Sequence, residues 1–276
     1  LIINSGNANA HTGKEGLNII ENYVKKLSNK IKCNKNEILV SSTGVIGEIF
    51  NPNKINSQIA KLDKIKSTSI LDAAKTIMTT DTFPKTYVKK IKIDSEIINI
   101  YGFAKGSGMI HPNMGTMLAY IFIDAKASCA ILKKILNKYL DQTFNSISVD
   151  SDTSTSDTLA LFSLGNKTIN LKKINNLKII STEIYKIMND LSQQIIRDGE
   201  GLSKLIKLVV DKAKNKKQAE KIAFSIVNSP LVKTAIAGED ANWGRIIMAI
   251  GKSYEKIDPN KIKILFGKNI VCQNGS

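Results

Sequence analysis

Leu118-Ala-Tyr-Ile-Phe-Ile123 is an unbroken apolar run of strand length. A strand without polar alternation has no face to give to water, so it needs cover on both sides. The chain must therefore build layers around at least one sheet. With 276 residues, 42% of them hydrophobic, it is long enough for a substantial core. Just upstream, Lys105-Gly-Ser-Gly-Met-Ile-His-Pro-Asn-Met-Gly-Thr116 is rich in glycine and small residues. A glycine-rich loop thus runs straight into a buried strand.

The rest of the chain alternates between periodicities. Ile20, Val24, Leu27 and Ile31 share one helical face within 16–32. Ile55, Ile59 and Leu62 mark a second helix, and Ile70, Ala74, Ile77 and Met78 a third. Leu132, Ile135, Leu136, Tyr139 and Leu140 form a further stripe, as do Ile184, Ile187, Met188, Leu191 and Ile195. Residues 219–227 read as another helix. Leu1-Ile2-Ile3, 37–42, 205–210 and the alternating Ile262, Ile264 and Phe266 read as strands. Ile91 and Ile93, then Ile98 and Ile100, flank Asp94-Ser95 and predict a hairpin. Hairpins in mixed order favour an α+β layering over a doubly wound parallel sheet. No repeat or low-complexity linker marks a domain boundary, so one folded unit over 1–276 is expected.

The formal net charge is +16, which suggests an anionic partner. The basic residues argue otherwise. Arg197 and Arg245 are the only arginines, whereas phosphate and base recognition favour the planar arginine fork. The lysines are scattered singly and in pairs on amphipathic stretches, as on a solvated surface. Aromatics are 6% and do not interleave with the basic residues, which counts against stacking on nucleic acid. No apolar run is long enough to span a bilayer. Cys33, Cys129 and Cys272 have no metal-type spacing and leave an odd count, as expected of a reducing, cytoplasmic compartment.

Two polar segments imitate ligand loops. Residues 4–13 form a Gly/Asn-rich stretch, but Lys14 is followed by Glu15 where a phosphate loop needs Ser or Thr. Residues 150–157 begin like a calcium loop, but Thr155 and Leu161 stand where Gly and Glu are required. A self-hydrogen-bonded turn is the reading that remains. His11 and His111, the only histidines, have no metal-ligand pattern.

The loop before Leu118 suits an N-terminal nucleophile. A Thr116 hydroxyl could attack the preceding carbonyl, shift the acyl group from nitrogen to oxygen, and be freed by hydrolysis. Gly115 leaves room for that attack. The freed α-amine, with a pKa of about 8, could then act as base for its own hydroxyl. The same layout is also that of an ordinary turn before a strand, and the residues alone leave both open.

The run 105–118 resembles the cleavage-site signature of ornithine acetyltransferase, also called glutamate N-acetyltransferase. The resemblance extends to Asn4-Ser-Gly-Asn-Ala-Asn-Ala10, Ser42-Thr-Gly-Val-Ile-Gly47 and Ile77-Met-Thr-Thr-Asp-Thr82 with Pro84-Lys85. It continues through Val149-Asp150 with Asp152-Thr-Ser-Thr155, Arg197-Asp-Gly-Glu-Gly201, and Gly238-Glu-Asp-Ala-Asn-Trp-Gly-Arg245. These blocks keep the family's order over nearly the whole chain. Members usually carry Ala before the cut, where Gly115 stands here, and they run on at both ends. The expectation is therefore a fragment.

The resemblance implies a layered α/β/β/α sandwich of the ornithine acetyltransferase and DmpA-like kind. It implies self-cleavage between Gly115 and Thr116 into chains 1–115 and 116–276, assembled as a heterotetramer of two copies of each. Thr116 matches the nucleophile, and Thr43 with Gly44 the oxyanion-hole pair. Thr82, Lys105, Thr116 and Glu200 match substrate-binding positions. The implied reaction moves acetyl from N-acetylornithine to glutamate without metal or organic cofactor, and use of acetyl-CoA stays open. An N-terminal-nucleophile aminopeptidase of the same fold is the nearest alternative reading. A lysine-rich nucleic-acid binder is the distant one.

Overall fold

The structure is a computed structural model that describes residues 1–64, 66–111 and 117–274. The chain divides into two compact units, residues 1–200 and 201–276.

The first unit opens with β1 (Ile2–Asn7), α1 (Gly13–Ile31), β2 (Val40–Val45), α2 (Pro52–Ala60) and α3 (Ile70–Thr76). The sheet strands β3 (Lys85–Ile93), β4 (Glu96–Lys105) and β5 (Leu118–Ala125) follow. Then come α4 (Cys129–Leu140), β6 (Thr158–Lys167) and α5 (Ile174–Arg197). Strands β1 and β2 pair in parallel, Ser5 opposite Thr43 and Gly6 opposite Gly44. The other four form one sheet in the order β3-β4-β5-β6, antiparallel except for the β5–β6 pair.

The unbroken apolar run becomes β5, and both of its faces are covered. Ala119, Ile121 and Ile123 join Ile98, Ile100 and the buried stripe of α5, namely Ile180, Ile184, Ile187, Leu191 and Ile195. Leu118 and Tyr120 face the other way and pack with Phe103, Ala74 and Ile77, with Ile3 of β1 against them. This mixed α/β layering is the expected fold class. The hairpin also forms, with Asp94 in the left-handed region (φ 54°) at its turn.

The second unit contains α6 (Lys216–Val227), α7 (Pro230–Ala237), α8 (Trp243–Lys252) and the hairpin β7 (Lys263–Phe266) and β8 (Asn269–Gln273). Its core joins Ile222, Ile226, Val232, Ala249 and Ile250. Arg245 is structural here. Its side chain donates to the Leu231 carbonyl (2.8 Å) and to Thr234 Oγ1 (3.0 Å), tying α8 to α7.

Some expectations need correction. The polar stretch 4–13 is not all loop: β1 continues to Asn7 and α1 starts at Gly13. Residues 205–210 form no strand, having no pairing partner among the described residues; Leu208 and Val210 instead pack on the core of the second unit. Strand β6 is partly buried along its first six residues without clean alternation, and α7 and α8 are short, so none of the three showed in the periodicity. Among the described residues, no helix is long and apolar enough to cross a membrane.

Candidate active site

The site-forming residues lie where strand ends meet the loop that begins at Lys105. Lys105 closes β4, whose last four residues are all buried, and its side chain is 3% exposed. Its ammonium donates to Thr43 Oγ1 (3.4 Å), within β2, and lies 3.9 Å from an Asp81 carboxylate oxygen. Burial lowers the Lys105 pKa; the Asp81 and Glu200 charges oppose that shift and Lys85 adds to it.

Thr43 is 1% exposed. An ammonium can only donate, so the Thr43 oxygen accepts and its own hydrogen remains for another acceptor. Gly44 follows at φ +126°, a conformation other residues rarely adopt. A Cβ there would sit 2.3 Å from the Gly6 carbonyl carbon and 2.6 Å from Asn7 N. The parallel β1–β2 pair therefore has no space for a side chain at this position.

Beneath Lys105 lies a buried charge network. Lys85, fully buried at the start of β3, sits between two carboxylates: Asp81 at 2.6 Å and Asp198 at 2.5 Å. Asp81 also accepts from the backbone N–H of Gly106 (2.6 Å) and Thr79 (3.1 Å). Burial alone would raise the Asp81 pKa, but the Gly106 N–H and the Lys85 ammonium outweigh it and hold the carboxyl below its ordinary value. Asp198, just past α5, accepts from the Thr82 N–H (3.0 Å) and from the Thr82 hydroxyl. Thr82 itself is exposed, at the surface of the network.

Glu200 is also held at this edge. Its N–H donates to the Ser107 carbonyl (2.9 Å), and Thr80 Oγ1 meets Ser107 Oγ at 2.6 Å. The Glu200 carboxylate lies flat against Gly108, where an added Cβ would be 2.6 Å from it. The loop continues under Asp150, which accepts from Met109 N (2.5 Å) and Ile110 N (3.0 Å).

Thr43, Gly44, Thr82, Lys105 and Glu200 are thus gathered around one charge network. Gly115 and Thr116 lie outside the described residues. The chain beyond them begins at Met117, whose N–H donates to Asp157 Oδ1 (3.1 Å). Burial raises the Asp157 carboxyl to about 6, against the effect of that hydrogen bond and one from Ser154. The 150–157 segment does form local turn bonds, Asp152 N to Asp150 and Ser156 N to Ser154. Its carboxylates also anchor both sides of the glycine-rich loop, a role the turn reading missed. Sequence reasoning named none of Asp81, Lys85 and Asp198 as functional, although each stands inside a quoted motif. Among the described residues, no group of three or more His, Cys, Asp or Glu is arranged to hold a metal ion.

The chain matches the ArgJ family over residues 1–276. It is 44% identical over 279 residues to the "Arginine biosynthesis bifunctional protein ArgJ" of Bartonella henselae, covering all of this chain and 68% of that protein. The protein of the same name from Bradyrhizobium diazoefficiens is 44% identical over 283 residues, with the same coverage. A crystal structure of the Arginine biosynthesis bifunctional protein argJ from Bacillus halodurans is 38% identical. It superposes with a TM-score of 0.52 over 56% of this chain and 74% of that one. On its sequence and its fold alike, the chain belongs to the ArgJ family.

Proposed function

We propose that this ArgJ-family protein is an acetyltransferase of arginine biosynthesis that moves acetyl from N-acetylornithine to glutamate through an acetyl-threonine at Thr116. The observation that carries this reading is the Lys105–Thr43 hydrogen bond beside Gly44. It leaves the buried Thr43 hydroxyl free to donate, as an oxyanion site requires.

The enzyme first cuts itself. Thr116 Oγ attacks the Gly115 carbonyl, the C–N bond breaks as the ester forms, and water hydrolyses the ester to free the Thr116 amine. Chains 1–115 and 116–276 stay together, because β5 is buried on both faces directly after the cut. Two copies of each make the assembly.

In the transfer cycle the Thr116 amine takes the hydroxyl proton as Oγ attacks the acetyl carbonyl. The Thr43 hydroxyl and the Gly44 N–H receive the oxyanion. The proton passes to the leaving nitrogen, and ornithine departs. Glutamate's free amine then attacks the acetyl ester, its proton passes by way of the Thr116 amine to the departing Oγ, and N-acetylglutamate leaves with the Thr116 hydroxyl restored. Lys105 offers a cation to a substrate carboxylate, and Glu200 an anion to a substrate ammonium. Each half-reaction balances without an added co-reactant.

A transfer assay tests the reading. With N-acetylornithine, the protein should form N-acetylglutamate only when glutamate is present. Release of acetate or free amino acid with no dependence on glutamate would indicate the hydrolytic alternative. A parallel arm with acetyl-CoA and glutamate shows whether a second donor is used.

A further inference from the structure

The network below Thr82 has a consequence for what Thr82 can recognise. Asp198 is buried and held between Lys85 and Thr82. A carboxylate can only accept, so the Thr82 hydroxyl hydrogen is committed to it. What the exposed Thr82 oxygen has left is lone pairs. The nitrogen that loses or gains acetyl carries at least one hydrogen throughout: as an amide N–H in the donor and as an amine or ammonium once free. An acceptor is therefore the one polarity that serves this nitrogen in both half-reactions.

We propose that Asp198 is a positioning residue that fixes Thr82 as a hydrogen-bond acceptor for the substrate's reacting nitrogen. Lys85 holds Asp198 in place, and Asp81 holds Lys85 from the other side while also facing Lys105. One buried chain of charges thereby sets the orientation of Thr82 and of Lys105. The inference rests on the acetyl-transfer reading.

The test is a double-mutant cycle on the full-length enzyme, with kcat and KM for N-acetylornithine as readouts. Thr82→Val should raise KM about 10- to 100-fold with kcat moving much less, and so should Asp198→Asn, whose single amide oxygen goes to the Lys85 ammonium and leaves an NH2 donor facing the Thr82 hydroxyl. Thr82→Ser, which keeps the hydroxyl, should restore most of the loss. The double variant should be no worse than Thr82→Val alone, because Asp198 acts through Thr82. Additive losses, or an Asp198→Asn enzyme with unchanged KM, would overturn the proposal. Should Asp198→Asn fail to fold, the ester isostere of N-acetylornithine decides, with oxygen replacing the amide N–H. It should compete about 10-fold or more worse than the amide in the unmodified enzyme, and equally well in Thr82→Val. No discrimination, or discrimination that survives Thr82→Val, overturns the proposal. An unmodified enzyme that transfers no acetyl overturns the functional reading and this inference together, whereas an active enzyme with an additive cycle overturns this inference alone.

Discussion

The Lys105 ammonium donates to the Thr43 hydroxyl across 3.4 Å, joining residues 62 positions apart. Burial lowers the Lys105 pKa below its ordinary 10.5. Lys105 therefore loses its charge at a lower pH than an exposed lysine, and substrate KM should rise on the alkaline side before pH 10.5 is reached. Lys105→Met should remove that limb and lower kcat/KM about 10- to 100-fold, while Asp81 keeps Lys85 as its partner. A pH profile of KM for both proteins checks this.

Gly44→Ala should damage both fold and chemistry. The φ of +126° and the 2.3 Å approach to Gly6 leave no place for a methyl group. Strain of about 1–3 kcal/mol is expected. Displacement of the Thr43–Gly44 donors should cost on the order of 10²–10³ in kcat. Denaturant unfolding and single-turnover rates measure the two effects separately.

Lys85→Met leaves Asp81 and Asp198 buried without the cation between them. Breaking a buried ion pair from one side costs about 3–5 kcal/mol. Lys85→Met combined with Asp198→Asn removes one stranded charge and should recover part of that loss. Thermal unfolding of the two variants tests the ordering; a double variant less stable than Lys85→Met would contradict it.

Asp157 predicts a pH dependence of stability. Its carboxyl is raised from 3.8 to about 6 in the folded protein. Between those values the folded state holds a proton that the unfolded state has released, so this group's contribution to stability grows as pH falls through the window. Above about pH 6 the contribution is absent. Asp157→Asn keeps an acceptor for the Met117 N–H and should remove this component, which melting curves from pH 4 to 7 at fixed salt would show.

Much of this fold was legible because burial writes itself into periodicity. The unbroken run at 118–123 gave β5, and Ile184, Ile187, Leu191 and Ile195 gave the core face of α5. Residues 205–210 misled because a short apolar run needs a partner strand before it becomes part of a sheet. The site was legible only as separate motifs. The contacts of Asp81, Lys85 and Asp198 join positions up to 116 residues apart, and no local pattern encodes such pairings. The surface excess of lysine says nothing of the site, where the two lysines, Lys85 and Lys105, are buried.

The proposed chemistry turns on Thr116 carrying the acetyl group. Intact-mass analysis of the full-length enzyme after brief exposure to N-acetylornithine, without glutamate, tests it most directly. Two chains split before Thr116 are expected, with one acetyl mass added to the chain that begins there and lost again on adding glutamate. Thr116→Ala should give a single uncut, unlabelled chain. An acetyl group found only on another residue, or a Thr116→Ala protein still cut at that position, would contradict it.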